Sequence, residues 1–246
     1  MNRDLDDYLF HFNQLPFERT QERFRKRKIL ELLSHHKHNV GKLLEVGPGL
    51  NPLFPMVKTS ESGVVLEPIS DIHDQLKQLY NKDSKFKILN CRLEEYITEN
   101  PKDKFDTVIL SSVLHEIPNP EIMLKLIYKI LEVEGTLFVV VPNNQSLHRL
   151  IGEKMGKLKS LTELTDTEKL MQQSTSYSPQ HLVNQLKSQG FEIGEVITSF
   201  IKPLPHAKMQ EALEGSLISE DDLNFLYKIS SLLPDFGSEI FGVAIK

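Results

Sequence analysis

From residue 42 onward, short apolar runs alternate with longer amphipathic stretches, and this alternation sets the expected fold. Residues 43–46, 64–66, 86–89, 107–110 and 136–141 are brief, rich in branched or aromatic side chains, and bounded by turn residues, so each reads as a strand. Between them, residues 71–80 place Ile72, Leu76, Leu79 and Tyr80 on one helical face, with Ser70 or Asp71 as the cap. Residues 121–131 space Ile122, Leu126 and Ile130 four apart, with Met123, Ile127 and Leu131 beside them, and Gly135 breaks the run. Residues 179–189 open on Ser178-Pro179, a cap followed by proline at the first helical position, and stop at Gly190. Two further strands, 191–198 and 240–245, close the chain. They are separated by Lys202-Pro203-Leu204-Pro205 and a helical run over 220–233, which Ser219 caps and Pro234 ends. The first forty residues read as helical, with Phe24, Ile29, Leu32 and Leu33 near one face. Strand alternating with helix predicts an α/β fold with a largely parallel sheet. No linker divides it, so residues 1–246 are expected to form a single domain with a helical N-terminal extension over 1–40.

Composition narrows the picture. At 246 residues the chain is near the upper size for one core, and 39% hydrophobic with 26% charged residues is ordinary for a globular protein. A net charge of −5, from 29 basic and 34 acidic residues, argues against nonspecific nucleic-acid binding. The single cysteine, Cys91, excludes an intrachain disulfide framework and a cysteine-cluster zinc site. No apolar run reaches the ~18–20 residues that span a bilayer, and the acidic, polar start MNRDLDDYLFHF does not read as a signal peptide, so a cytoplasmic protein is expected. Residues 19–28 are rich in Arg and Lys. They read as a solvated helix face, with an anionic substrate or surface as the alternative. His35, His36 and His38 follow where that helix should end and can meet its dipole. No carboxylate or cysteine accompanies them at ligand spacing, and no metal site is expected elsewhere.

The chemistry concentrates in LLEVGPGLNPLFP, residues 43–55, where a strand runs straight into a glycine-rich turn. Gly47 and Gly49 allow a sharp turn and close approach of backbone to a ligand. A dinucleotide site would want a third glycine, which is absent where Pro52 follows Asn51. Glu45, two positions before the first glycine, would repel a pyrophosphate but suits a cationic ligand. Glu45-Val46-Gly47-Pro48-Gly49 resembles motif I of the class I S-adenosylmethionine-dependent methyltransferases, usually E/D-x-G-x-G-x-G. Asn51 stands at the last glycine of that pattern, and Asn tolerates left-handed backbone.

The resemblance continues at the same spacing. About twenty residues on, Val65-Leu66-Glu67-Pro68 places Glu67 at the position where the family holds the ribose, with Pro68 beside it; a charge at the start of the next helix is the alternative role. After the third strand, Asn90, Arg92 and Leu93 match positions that line the adenine, while Cys91 reads as a packing residue. FDTVILSSVLHEIPNP resembles motif IV, which implies that Ser111, Ser112, His115 and Glu116 face the methionine end of the cofactor. GTLFVVVPN and FGVAIK match the fifth strand and the reversed last strand. The resemblance covers residues 40–142 well. It implies a Rossmann-like fold with a mostly parallel seven-stranded sheet, a reversed last strand and helices on both faces. VPNNQSLHRLIGEKMG, SPQHLVNQLKSQGF and EIFGVAIK resemble bacterial members associated with glycan or small-metabolite pathways.

The family's chemistry implies S-adenosyl-L-methionine as cofactor, S-adenosyl-L-homocysteine as product, and in-line transfer of a methyl group to a small polar acceptor, foremost a sugar or metabolite hydroxyl. His148 and His115 are the candidate bases. Glu45 is expected to support the cofactor's ammonium end, directly or through the glycine-rich backbone. Asn143, Asn144, His148 and Arg149 are candidate acceptor contacts, and Tyr177 and His206 lie in helical segments, 145–178 and 199–238, expected to act as a lid. The expected partner is a small molecule, without nucleic acid or membrane, and the expected state is a monomer or homodimer. An N-methyltransferase acting on a small amine and a catalytically silent nucleoside-binding regulator remain alternatives. A nicotinamide oxidoreductase is disfavoured by Glu45 and the missing glycine.

Overall fold

Each predicted apolar run becomes a strand of one sheet in the computed structural model, which describes residues 5–12, 14–37, 39–81 and 84–246. In chain order the elements are α1 (Leu5–Phe12), α2 (Glu18–His36), β1 (Gly41–Val46), β2 (Ser60–Leu66), α3 (Ser70–Tyr80), β3 (Phe86–Leu89), α4 (Leu93–Glu99) and β4 (Phe105–Ser111). They continue with α5 (Pro120–Ile130), β5 (Leu131–Pro142), α6 (Leu147–Lys154), α7 (Asp166–Leu170), α8 (Pro179–Ser188), β6 (Glu192–Ser199), α9 (His206–Glu214), α10 (Glu220–Lys228) and β7 (Glu239–Ile245). The sheet order is β3-β2-β1-β4-β5-β7-β6. Neighbours from β3 to β5 pair parallel, and β7 runs antiparallel to both β5 and β6. This is the Rossmann-like sheet with a reversed last strand that the motif pattern implied.

Period-two alternation sorts the strand side chains onto two covered faces. Leu44, Val64, Val108 and Val139 point into the core beneath α4, α5 and α8, with Leu93, Leu124, Ile127 and Leu182. Their neighbours Leu43, Val65, Ile109 and Val140 point the other way, against Ile29, Leu32 and Leu33 of α2 and Ile72 and Leu76 of α3. Burial on both faces is why these strands read as continuous apolar runs. The order reverses at β1 and β4, which opens a crevice at their carboxyl ends.

Several boundaries differ from the sequence reading. Ile69, not Ser70 or Asp71, precedes α3 as its cap. The helix ending at Ile130 gives way at once to β5, which starts at Leu131 and passes Gly135 within the strand. The run after Ser219 ends as an α-helix at Lys228 and closes in a 3-10 turn over Ile229–Ser231. The N-terminal segment is two helices, with Phe17 in left-handed backbone where the chain enters α2. His38 lies outside the described residues.

The two long additions do different work. The 199–238 segment packs against α2 through an aromatic cluster, where Phe24 stacks on Phe200 at 4.6 Å and Met209, Leu223 and Tyr227 complete the contact. Within 145–178, the Arg149 guanidinium donates to both Glu168 oxygens and to the Leu161 and Glu163 carbonyls, so the segment folds back on α6. Among the described residues, no helix is long and apolar enough to cross a membrane.

Candidate active site

At the end of β1 the chain turns through left-handed backbone at Gly47 (φ 61°) and Gly49 (φ 64°), a region that costs most L-residues about 1–2 kcal/mol. The Gly47 N–H donates to the Leu66 carbonyl at 2.8 Å, which ties the turn to β2. The Gly49 N–H donates to Glu67 Oε2 at 3.1 Å, and Glu67 Oε1 accepts from the Ile69 N–H at 2.9 Å. Glu67 thus stands at the end of β2 with its buried carboxylate between the glycine turn and the start of α3. Each carboxylate oxygen can accept more than one hydrogen bond, so capacity remains for ligand hydroxyls.

Two cavities meet above this turn. The smaller, about 190 Å³, brings together Gly47, Gly49, Glu67, Pro68, Arg92, Leu93 and Ser112, with Leu66, Ile69, Val113 and Met123 as apolar wall. The larger, about 1290 Å³, is bordered by Gly47, Pro48, Gly49, Asn51, Ser111 and Ser112. Ser112 also sits in left-handed backbone (φ 61°), and its N–H donates to the Val140 carbonyl. Strained backbone of this kind concentrates at ligand-binding sites. An apolar slot, an acidic group at its rim and a glycine turn open to close backbone approach fit a nucleoside with an attached amino-acid tail. The residues present therefore suit S-adenosylmethionine, with adenosine in the smaller cavity and the methionine end in the larger.

Other residues singled out in the sequence have structural tasks. Glu45 borders neither cavity. Its two oxygens accept the Leu53 and Phe54 N–H groups at 2.7 and 2.9 Å, so any support it gives the cofactor passes through the loop it shapes. Asn90 borders neither cavity, donating to the Glu67 carbonyl and accepting from the Ser70 hydroxyl. His115 is buried and borders neither cavity, while its neighbour Glu116 reaches the smaller one. The acceptor candidates are likewise elsewhere. Asn143 donates to the Asp235 and Gly237 carbonyls, Asn144 donates to Ser176, and the buried Tyr177 hydroxyl donates to Gln185. Arg149 is spent on the 155–170 segment, and the His206 ring meets the Pro16 carbonyl and the Phe17 ring. His148 shares a hydrogen bond with the Ser146 hydroxyl, and burial together with the charges of Lys202, His206 and Arg149 holds its pKa well below the usual imidazole value.

The roof of the site comes from the N-terminus. Tyr8 and Phe12 of α1 border both cavities, and Glu18, Arg19, Glu22, Arg25 and Lys26 of α2 border the larger. Asn51 donates to Glu22 at 2.8 Å, which joins α2 to the glycine turn. The available signal was the Arg- and Lys-rich stretch over 19–28, which does not form a purely solvated face. Arg25 is buried between Glu239 (2.5 Å) and Glu18 (2.9 Å). Among the described residues, no cluster of His, Cys, Asp and Glu is arranged to hold a metal ion.

Glu45 also makes the loop sensitive to pH. Burial outweighs its two backbone donors and pushes its pKa up to about 7 from 4.5. Between those values the folded chain holds a proton that the unfolded chain has released. Stability should therefore fall as pH rises across this window, by about 3 kcal/mol from this group. Glu45→Gln is expected to remove that slope, read from denaturant unfolding at pH 5 and 7.5. An unchanged slope would reject the assignment.

Comparison with known proteins agrees with this geometry. A family model described as "Methyltransferase domain" matches residues 17–196. The mitochondrial ubiquinone biosynthesis O-methyltransferase of Rattus norvegicus is 28% identical over 118 residues, covering 45% of this chain and 33% of that protein. The match thus spans about a third of the length of that curated relative. Among solved structures, a SAM-dependent methyltransferase from Archaeoglobus fulgidus superposes with a TM-score of 0.57 at 16% identity, covering 90% of this chain and 92% of the other. The N-methyltransferase NodS from Bradyrhizobium japonicum WM9, in complex with S-adenosyl-L-homocysteine, gives 0.58 at 12% identity and 98% of both chains. With the glycine turn, the acid closing β2 and the reversed last strand all in one sheet, and with the family model matching the greater part of this chain, the chain belongs to the methyltransferase-domain family.

Proposed function

We propose that the chain transfers the methyl group of S-adenosylmethionine to a small polar acceptor, foremost a hydroxyl, held in the larger cavity beneath α2. The observation that carries this reading is that the two cavities share Gly47, Gly49 and Ser112 as a common rim. A nucleoside in one and an acceptor in the other would meet above the glycine turn. When bound, the cofactor supplies a methyl group activated by a sulfonium. Glu67 accepts ribose hydroxyls at the edge of the smaller cavity. The turn amides and Ser112 position the methionine end, and α1 and α2 exclude water, so the protein's contribution is mainly placement.

Neither His115 nor His148 borders these cavities, which weighs against a histidine base. Glu22 is better placed. It borders the larger cavity, accepts one hydrogen bond from Asn51, and burial raises its pKa from the ordinary carboxylate value. It is the group we assign to take the acceptor's proton. The relatives compared include both an O- and an N-methyltransferase by name, and a carboxylate base serves a hydroxyl or a protonated amine.

The test begins with calorimetric titration of S-adenosylmethionine, S-adenosylhomocysteine and NADH. The two sulfur nucleosides should bind at micromolar concentration and NADH should not. Labelled methyl transfer to a panel of sugars, alcohols and amines then identifies an acceptor. With it, Glu22→Gln should lower kcat at least tenfold while the Kd for S-adenosylhomocysteine stays within threefold, and His115→Gln and His148→Gln should change kcat less than threefold. A tenfold loss in either histidine variant with Glu22→Gln silent would restore the histidine reading.

A further inference from the structure

The charge on α2 points to the chemical class of the acceptor. Five cations of this helix border the larger cavity, Arg19, Arg23, Arg25, Lys26 and Arg27, against three carboxylates, Glu18, Glu22 and Glu31. Three of the five are already matched. Arg23 pairs with Glu220, Arg25 with Glu18 and Glu239, and Arg27 with Glu31. Arg19 and Lys26 form no ion pair among the described residues, and both lie on the cavity wall. They are seven residues apart, close to two helical turns, so they share one side of α2 about 10 Å apart along its axis. Lys26 senses Glu22 and Glu45 only through space, and its half-buried ammonium is held below the usual lysine pKa by desolvation. Glu22, between them, is hydrogen-bonded to Asn51.

In a chain of net charge −5, the lining of this cavity thus carries five cations against three carboxylates, and Arg19 and Lys26 stand outside its ion pairs. Unpaired cations facing a cavity attract and orient an anion, and the partial burial of Lys26, though not of the exposed Arg19, strengthens the interaction. The long side chains of Arg and Lys can converge on one anion from that separation, and titration of the protein with its cofactor site filled separates an anion of the acceptor from the cofactor's own carboxylate. We infer that the acceptor carries an anionic group, a carboxylate or a phosphate monoester, which Arg19 and Lys26 hold so that its nucleophilic atom faces Glu22 and the rim at Ser112. This rests on the proposed methyl transfer. A carboxylate and a phosphate are both served by Arg, which offers a planar fork, and Lys, which offers a point charge.

The experiment uses the full chain saturated with S-adenosylhomocysteine, so that the cofactor's own carboxylate site is filled. Benzoate, phenyl phosphate and uncharged benzamide are titrated into it. At least one of the two anions should bind tenfold more tightly than benzamide, and whichever is preferred separates a carboxylate from a phosphate acceptor. In Arg19→Ala/Lys26→Ala that preference should disappear, with the Kd for S-adenosylhomocysteine within twofold of wild type and an unchanged melting temperature. Both positions have their side chains on the surface of α2, and Arg19→Gln and Lys26→Gln singly provide a second, milder pair of variants. Equal binding of anions and benzamide, or no binding of any probe, overturns the inference while leaving the methyltransferase reading intact. A tenfold loss of S-adenosylhomocysteine affinity in the double variant also overturns it, because the cations would then serve the cofactor. Failure of wild type to bind S-adenosylhomocysteine at all would instead sink the underlying function.

Discussion

Gly47→Val is expected to weaken binding of S-adenosylhomocysteine at least 100-fold and to destabilise the fold by about 2–5 kcal/mol. Two costs combine. Any Cβ at this position would lie 2.9 Å from Val113 Cγ2, and the wall of the smaller cavity would have to shift to admit it. The backbone is also left-handed there (φ 61°), which a β-branched residue resists more than most. The rest of the side chain would project at the common rim of both cavities, where nucleoside and methyl acceptor are proposed to meet. Gly49→Ala is the control. Its backbone is left-handed as well, but nothing lies within 4 Å of its added Cβ, so it should cost only about 1 kcal/mol of strain and a much smaller loss of affinity. Calorimetric titration and denaturant unfolding read both effects. A Kd for Gly47→Val within threefold of wild type would show that the turn does not approach the ligand.

Arg25→Met should have the largest effect on stability, a loss of about 3–5 kcal/mol at pH 7.5. The Arg25 guanidinium reaches Glu239 at the start of β7 and Glu18 at the start of α2, and both it and Glu239 are withdrawn from solvent. Removing the cation leaves the Glu239 carboxylate buried with Lys202 as the remaining nearby cation. Burial already raises the Glu239 pKa, and without Arg25 it should rise further. The folded variant would then bind a proton more readily than the unfolded chain, so its deficit should shrink as pH falls from 7.5 to 5.5. Adding Glu239→Gln should recover part of the loss, because the unpaired charge is gone and the two substitutions are coupled. Since Arg25 also pins the helix that roofs the larger cavity, affinity for S-adenosylhomocysteine should fall with it. An Arg25→Met protein within 1 kcal/mol of wild type at pH 7.5 would mean that α2 is held by its aromatic and aliphatic contacts alone.

Much of the molecule is local in origin, and that part was legible. The strands announce themselves because their side chains are buried on both faces, and the helices because their apolar residues recur along one face. Ser178 and Ser219 each accept an N–H from the third residue beyond, as cap residues do. The turn at Gly47 and Gly49 and the carboxylate of Glu67 are tied to their positions by bonds between neighbouring strand ends. The polar residues of the later segments misled for the opposite reason. Asn143, Arg149 and Tyr177 look like binding groups in a list of residue types, yet each is engaged by a carbonyl, carboxylate or amide that tertiary packing brings to it.

By itself, then, the sequence determined the seven strands, the helices α3, α5, α8 and α10, the glycine turn, the acid that follows it and the family they resemble, while α4 and the split of the N-terminal segment into two helices went unread. These depend on periodicity and on backbone freedom at single positions. The tertiary structure decided which face of α2 covers the site, that Arg25 pairs with Glu239 across 214 positions, and that Glu45 serves the loop rather than the ligand directly. Residue type says that a side chain is polar or charged. Whether it meets a cavity, a carbonyl or an opposite charge depends on which distant segments pack beside it.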